Sequence, residues 1–346
     1  PCCHDALSAK LIEQAGFPYA FMSGFCTSAA RLGAPDTGLI SYSEMVDTGR
    51  YIHESTRSLP VIGDGDTGYG NAMNVKRTVR GYAQAGFAGI LIEDQVAPKS
   101  CGHVRGKRVV GREEAVARIR AAVDARCVEE GADILIVART DARQAVSLEE
   151  ALWRAQAFAE AGADVLFIDA LESEEEMQAF TALGGPAAGL PKMANMLEGG
   201  GKTPVLPPSA LQAMGFKLVA YPLSLLGVSI QAMQDALAGL RRGRIPPVEA
   251  MGTFADIQEV VGFPAYFAEE QRYAISTPTS VEMDLRVRIS DVNTGLVKLE
   301  TRVPAGFLNG LTALVPQVAG FNIEVRRYGV ICCCCGGGGG GVASTW

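Results

Sequence analysis

The chain has 346 residues, 48% of them hydrophobic and 20% charged, enough to bury a sizeable core in one or two domains. A net charge of −7 and a sequence pI of about 5.2 argue against a surface built for nucleic acid or anionic membrane. No apolar run approaches the roughly 18 uninterrupted residues that a membrane span requires.

The cysteines are Cys2, Cys3, Cys26, Cys101, Cys127 and the run Cys332 to Cys335, a distribution unlike a disulfide framework. A chain of this length needs no staples, so a reduced intracellular compartment, cytoplasm or plastid, is expected. The first residue is Pro1 rather than Met, and a helical pattern begins at once with Ala6, Leu7, Ala9, Leu11, Ile12 and Ala15. The chain therefore reads as a fragment without its natural N-terminus, and any targeting segment is illegible.

Candidate strands follow at Tyr19–Ser23, Pro60–Gly63, Gly89–Glu93, Ile134–Ala138, Val165–Ile168, Gly189–Ala194 and Leu218–Tyr221. Helical patterns at Val75–Ala85, Arg112–Val128 and Ser147–Ala161 lie between several of them. Ser147 followed by Glu149 and Glu150 predicts an N-cap with an acidic first turn. Ala15-Gly16, Ala85-Gly86 and Ala161-Gly162 each precede an apolar stretch, and glycine there predicts a helix C-cap. Repeated βα units with strands buried on both faces predict a parallel sheet. An eighth strand placed ahead of Pro1 would complete an α/β fold of the (β/α)₈, or TIM-barrel, kind over residues 1–275. The competing architecture is a doubly wound open sheet.

After Ser276 the periodicity changes to two. Val281–Ile289, Leu296–Val303 and Ile323–Val325 predict a β-rich extension over 276–330. Residues 331–346 form a low-complexity Cys/Gly tail, which lacks the C-x-x-C spacing of a zinc site.

Polar residues gather at the expected strand C-termini, the face where barrels build active sites: Asp64, Asp66, Glu93, Asp94, Arg139, Asp141, Asp169 and Asn195. Asp64-Gly65-Asp66 alone is more often a solvated turn. With Glu93 and Asp94 ending the next strand, it suits a hard cation such as Mg²⁺. Ser23-Gly24 offers backbone N–H groups to an anion or forms a plain turn. Arg139 either grips a carboxylate bidentately or pairs with Asp141. Cys101 is flanked by Lys99, Ser100, Gly102, His103, Arg105 and Lys107, too polar for a core, and a basic setting lowers a thiol's pKa. Those basic residues either face solvent or meet substrate carboxylates. His4 and His53 read as ordinary residues, and no Rossmann, Walker or G-x-S-x-G motif is present.

Met22-Ser23-Gly24-Phe25, Asp64–Asn71, Ile92-Glu93-Asp94-Gln95, Lys99–His103 and Ala138-Arg139-Thr140-Asp141 together resemble the isocitrate lyase/phosphoenolpyruvate mutase superfamily. The likeness runs from Asp5 to about Tyr273 and is greatest to its plant-type, carboxyvinyl-carboxyphosphonate phosphorylmutase-like branch. It implies a (β/α)₈ barrel whose C-terminal helix is swapped between subunits of a homotetramer. It implies Mg²⁺ (or Mn²⁺) held by Asp64 or Asp66, Asp64 being the better candidate for a direct ligand, with Asp36 and Glu93 acting through water. Ser23, Gly24, Phe25 and Gly102 would hold a small carboxylate substrate, Arg139 its other end, and Asn195 and Asp169 would share that pocket. Lys99, Cys101 and His103 would join Arg139 in catalysis.

Lyases of the superfamily carry Lys-x-Cys-Gly-His, whereas its phosphonate mutases carry asparagine in place of Cys101. The resemblance therefore implies retro-aldol cleavage of a 2-hydroxy acid, with Cys101 as proton donor, or the related hydrolysis of oxaloacetate. Phe21 stands where many of these lyases have tyrosine, and Asp169 where methylisocitrate lyases have glutamate. A phosphorylmutase and an idle barrel scaffold are the competing functions.

Overall fold

The computed structural model describes residues 1–100, 106–126, 132–274, 284–291, 294–304 and 321–327. Eight parallel strands hydrogen-bond in chain order: β1 (Cys2–Cys3), β2 (Ala20–Met22), β3 (Val61–Asp64), β4 (Gly89–Glu93), β5 (Leu135–Thr140), β6 (Val165–Ile168), β7 (Lys192–Asn195) and β8 (Leu218–Ala220). They make a nearly closed (β/α)₈ barrel. The strand expected ahead of Pro1 is β1 itself, with Cys2 opposite Phe21 and Cys3 opposite Met22. A doubly wound sheet would reverse its strand order at a switch point, and this one does not.

The helices are α1 (Ala6–Gln14), α2 (Gly24–Leu32), α3 (Tyr42–Ser55), α4 (Ala72–Gln84), α5 (Arg112–Arg126), α6 (Ala142–Ala145), α7 (Leu148–Glu160), α8 (Glu174–Thr181), α9 (Pro208–Ala213), α10 (Ser224–Leu240), α11 (Val248–Met251), α12 (Phe254–Val261) and α13 (Phe263–Tyr273). Helix α4 begins earlier than its apolar periodicity predicts because Asn71 caps it. The Asn71 side chain accepts from the N–H groups of Met73 (3.0 Å) and Asn74 (3.2 Å), and Asn74 returns a bond to Asn71 N–H. Ser147 caps α7 as expected, accepting from Glu150 N–H at 3.2 Å.

The three Ala-Gly pairs do end helices. Gly16, Gly86 and Gly162 are left-handed, at φ of +80°, +92° and +96°. The next residue's N–H then reaches back to a carbonyl of the last turn, as Phe87 does to Tyr82.

Along each strand the side chains alternate, and the alternation builds two cores. Cys2, Ile62, Leu91, Val137, Val165, Phe167, Met193 and Ala220 plug the barrel interior. Their neighbours, among them Ile90, Ile92, Ile136 and Leu166, pack outward against the helices. Tyr82 of α4 is one of the largest buried side chains. It stacks on Phe87 at 4.7 Å and donates to the Asp64 carbonyl at 2.7 Å. Truncating such an aromatic costs about 3–5 kcal/mol, and here it would also loosen the strand end that carries Asp64.

The chain divides into two compact units, Pro1–Val261 and Gly262–Trp346. In the second, β9 (Asp284–Asp291) pairs antiparallel with β10 (Val297–Pro304) and with β11 (Phe321–Arg327). These correspond to the three strands expected beyond Ser276. The Cys/Gly tail, Cys127, and the loop residues Cys101, Gly102, His103 and Arg105 lie outside the described residues.

Candidate active site

The alternation that plugs the barrel also aims its polar crown. Two residues beyond the buried Ile62, Leu91, Phe167 and Met193 come Asp64, Glu93, Asp169 and Asn195, and Arg139 follows Val137 by the same step. Period two equally turns Asp94 away. Its carboxylate accepts from Thr140 Oγ1 (2.6 Å), Asp141 N–H (2.9 Å) and Arg154 Nη1 (2.9 Å), between strand and helix. Of the adjacent pair expected to form one acidic strand end, only Glu93 faces the site.

Four carboxylates form one side. Asp64 accepts from Gly24 N–H at 3.2 Å and from Asp66 N–H at 3.1 Å. A Cβ on Gly24 would fall 2.7 Å from Asp64 Oδ2, so only glycine allows this approach. Asp66 sits in the left-handed region at φ +49°, which swings its side chain toward Asp36 and Lys99. The Lys99 ammonium lies 2.9 Å from Asp36 Oδ1 and also contacts Asp66 Oδ1. Burial drives the Asp66 carboxyl up to about 8, Lys99 opposing and Asp64, Asp36 and Glu93 adding to the rise. Burial pulls Lys99 down, but Asp66, Asp64, Asp36 and Glu93 hold it well above the ordinary lysine value.

The other side is built on Arg139. Its Nη2 contacts Asp141 Oδ1 at 2.9 Å and Asp169 Oδ2 at 2.7 Å, and its Nε lies 3.3 Å from Glu93 Oε2. The guanidinium stands 5.4 Å from the centre of the Phe167 ring. Asn195 donates to Asp169 Oδ1 at 3.4 Å, and Gln95 donates to Glu93 Oε1 at 3.0 Å. Burial raises the Glu93 carboxyl, against the pull of Arg139 and Lys99.

Between the two sides lies a cavity of about 250 Å³, lined among others by Ser23, Phe25, Asp36, Asp64, Arg139, Asp169 and Asn195. Its apolar wall is Phe21, Phe167, Met193, Leu197, Pro222 and Leu223, with Cys2 on the β1 side. Asp66, Lys99 and Glu93 join through the contacts above, and Gly24 through Asp64. Ser23 caps α2, accepting from Cys26 N–H at 3.3 Å. Cys101, Gly102 and His103 cannot be placed, since they lie outside the described residues. Of the two settings the sequence allows Lys107, solvent or substrate carboxylates, neither is what it meets: it is buried and reaches the protein's own Asp141 and Asp169. Gln95 belongs to the Ile92–Gln95 motif, and its place in the site is the bond to Glu93. The signal for Lys107 was weak, because a lysine in a basic run ordinarily faces water.

The donor set suits a hard divalent cation. All the donors are carboxylate oxygens, and Asp36 Oδ1 and Asp66 Oδ1 are buried against a single shared ammonium, that of Lys99. Among the described residues no three His, Cys, Asp or Glu side chains converge as a ready cage. Mg²⁺ does not require one, because it keeps several waters and uses one or two carboxylates directly.

A barrel with an acidic cluster facing an arginine across a small cavity at its strand C-termini has the layout of a β/α-barrel enzyme. A family model described as phosphoenolpyruvate phosphomutase matches residues 1–241. The 2,3-dimethylmalate lyase of Eubacterium barkeri is 42% identical over 278 residues, 79% of this chain and 92% of the relative. The chloroplastic carboxyvinyl-carboxyphosphonate phosphorylmutase of Arabidopsis thaliana is 40% identical over 279 residues, 79% of this chain and 80% of the relative. A solved structure of oxaloacetate acetylhydrolase with 3,3-difluorooxalacetate matches with a TM-score of 0.74 at 34% identity, over 79% of this chain and 90% of that one. A phosphonopyruvate hydrolase complexed with oxalate and Mg²⁺ matches at 0.68 and 32%, over 79% and 92%. The chain belongs to the phosphoenolpyruvate mutase/isocitrate lyase superfamily, and it is an enzyme of that superfamily, a carbon–carbon lyase.

Proposed function

We propose that this chain cleaves 2-hydroxy di- or tricarboxylic acids of the 2-alkylmalate or 2-methylisocitrate type by retro-aldol chemistry, with oxaloacetate hydrolysis open to the same site. The observation that carries the reading is the cavity between the carboxylate cluster and Arg139, whose remaining wall is apolar. One end suits a chelating 2-hydroxy acid, the other a carboxylate, and the wall an alkyl branch.

Asp64 and Asp66 would hold Mg²⁺ or Mn²⁺, with Asp36 and Glu93 acting through water. When bound, the metal polarises the 2-hydroxy acid and offsets developing negative charge. Arg139 holds the distal carboxylate and stabilises charge that grows there. Ser23, Gly24 and Phe25 hold the proximal carboxylate at the head of α2. The hydroxyl proton passes to solvent as the adjacent C–C bond breaks and the oxygen becomes a carbonyl. One fragment leaves as an oxo acid, and the bonding electrons pass to the other as an enolate, which Cys101 protonates on carbon. Lys99 and His103 support that thiol, and Gly102, Asn195 and Asp169 complete the pocket. Cys101 is also what disfavours the phosphorylmutase reading.

A homotetramer with exchanged C-terminal helices is part of the proposal. Its support is α10, which buries only Leu226 while Val228, Met233 and Leu237 are more than half exposed.

The test is incubation with Mg²⁺ and, in turn, 2,3-dimethylmalate, 2-methylisocitrate, oxaloacetate and phosphonopyruvate, beside Cys101→Ser. Cleavage of one of the first three, with Cys101→Ser reduced at least about 100-fold, is expected. Conversion of phosphonopyruvate alone, to phosphoenolpyruvate, would establish the mutase, full cleavage by Cys101→Ser would remove the thiol's role, and no turnover would leave a scaffold.

A further inference from the structure

Both arms of the connection after β4 carry a buried lysine into the site, and the proposed chemistry uses only Lys99. The Lys107 side chain is 1% exposed. Its ammonium contacts Asp141 Oδ1 and lies 3.3 Å from Asp169 Oδ2. These are the two oxygens that Arg139 Nη2 holds. Two cations therefore share two carboxylate oxygens, while Glu93 stands against Arg139 Nε.

Charge balance gives the arrangement a purpose. With Arg139 alone, one guanidinium would face three buried carboxylates, and a further anion brought to it would meet a surplus of negative charge. With Lys107 present, two cations face those three carboxylates, so the surplus of negative charge falls from two to one and Arg139 meets another carboxylate against a smaller opposing field. Arg139 and Asp169 line the cavity, whereas Lys107 lies behind them. The lysine is also held in place. Val96 N–H donates to the Arg108 carbonyl and Val110 N–H to the Asp94 carbonyl, both at 2.9 Å.

We propose that Lys107 is a positioning residue, which balances Asp141 and Asp169 so that Arg139 is available to the substrate's distal carboxylate. The proposal rests on the reading of this cavity as a site for carboxylate substrates. Burial, with Arg139 adding and Asp169 and Glu93 opposing, brings the Lys107 ammonium down to about 8. Together with Asp141, these are the charged groups that face it among the described residues.

The probe is oxalate, titrated calorimetrically into the full chain with Mg²⁺, beside kinetics on the acid that is turned over. Lys107→Met should raise the oxalate Kd and the KM by about 10- to 100-fold, the range of a charge-assisted hydrogen bond, with a smaller effect on kcat. Adding Asp169→Asn should recover most of that affinity, because it removes the carboxylate left unbalanced. Lys107→Arg should bind oxalate as the wild type does at pH 7. Wild-type affinity should then fall as pH rises past about 8, and that of Lys107→Arg should stay level.

A folded Lys107→Met protein with wild-type oxalate affinity, or a loss confined to kcat, overturns the proposal. If Lys107→Met does not fold, Lys107→Arg decides, and a decline with pH matching the wild type's overturns it. Oxalate binding requires no turnover, so a wild type that binds oxalate and cleaves nothing sinks the lyase reading alone.

Discussion

Lys99 and Lys107 leave the same connection after β4, both are buried, and both meet carboxylates, yet they titrate on opposite sides of the ordinary lysine value. Burial pulls each of them down. At Lys99 the field of Asp66, Asp64, Asp36 and Glu93 overcomes it. At Lys107 the neighbouring Arg139 reinforces burial, and Asp169 and Glu93 do not make up the difference. The two halves of one site thus differ in charge balance. The half around Lys99 is short of positive charge, the condition for taking up a cation. The half around Lys107 carries a smaller deficit, two cations against Asp141, Asp169 and Glu93, a setting less hostile to an anion.

The strongest way to break this comparison is to remove a carboxylate from the deficient half. Asp66→Asn should lower kcat/KM by about 1000-fold and weaken Mn²⁺ binding read by electron paramagnetic resonance. Turnover within about tenfold of wild type would show that the charge deficit serves no metal.

A smaller effect is expected from Lys99→Met in metal-free protein. Leaving Asp36 and Asp66 without their ammonium should cost about 3 kcal/mol, a fall in Tm of roughly 5–10 °C. Added Mg²⁺ should restore the Tm by supplying the missing charge. A melting curve indifferent to Mg²⁺ would mean that the two cations do not compete for one place.

The subtlest effect is on stability against pH. The folded chain releases the Lys107 proton at about 8, whereas the ordinary value is 10.5. Between those values the unfolded chain binds more protons, so the folded state gains stability as pH rises. Lys99 behaves oppositely, since its raised pKa gives stability that is complete below 10.5 and lost only above it. Urea titrations of metal-free wild type and Lys107→Arg from pH 8 to 10.5 should diverge by on the order of 1–3 kcal/mol in the wild type's favour. Parallel curves would show that Lys107 titrates as an ordinary surface lysine.

Much of the barrel could be read from sequence because its signals are local. Ala-Gly pairs mark helix ends at Gly16, Gly86 and Gly162, and Ser147 caps α7. Carboxylates and Arg139 stand where β/α barrels place their chemistry. Other readings required the fold. Glu93 and Asp94 are equivalent in sequence, and only the strand's orientation sends one to the cavity and the other to Arg154. A strand of two cysteines is too short to show periodicity, so β1 is illegible in the sequence. The partners of Lys107 are illegible in sequence because they lie just past the ends of β5 and β6, beyond any local pattern.

By itself, then, the sequence determined the order of strands and helices, their caps, and the residues that stand at strand ends, all of which depend on neighbours a few positions away. Only the tertiary structure decided the balance of charge. Lys99 and Asp36 are 63 residues apart and Lys107 and Asp169 are 62. Coulomb energy in a buried site depends on distance through space, which chain position does not encode.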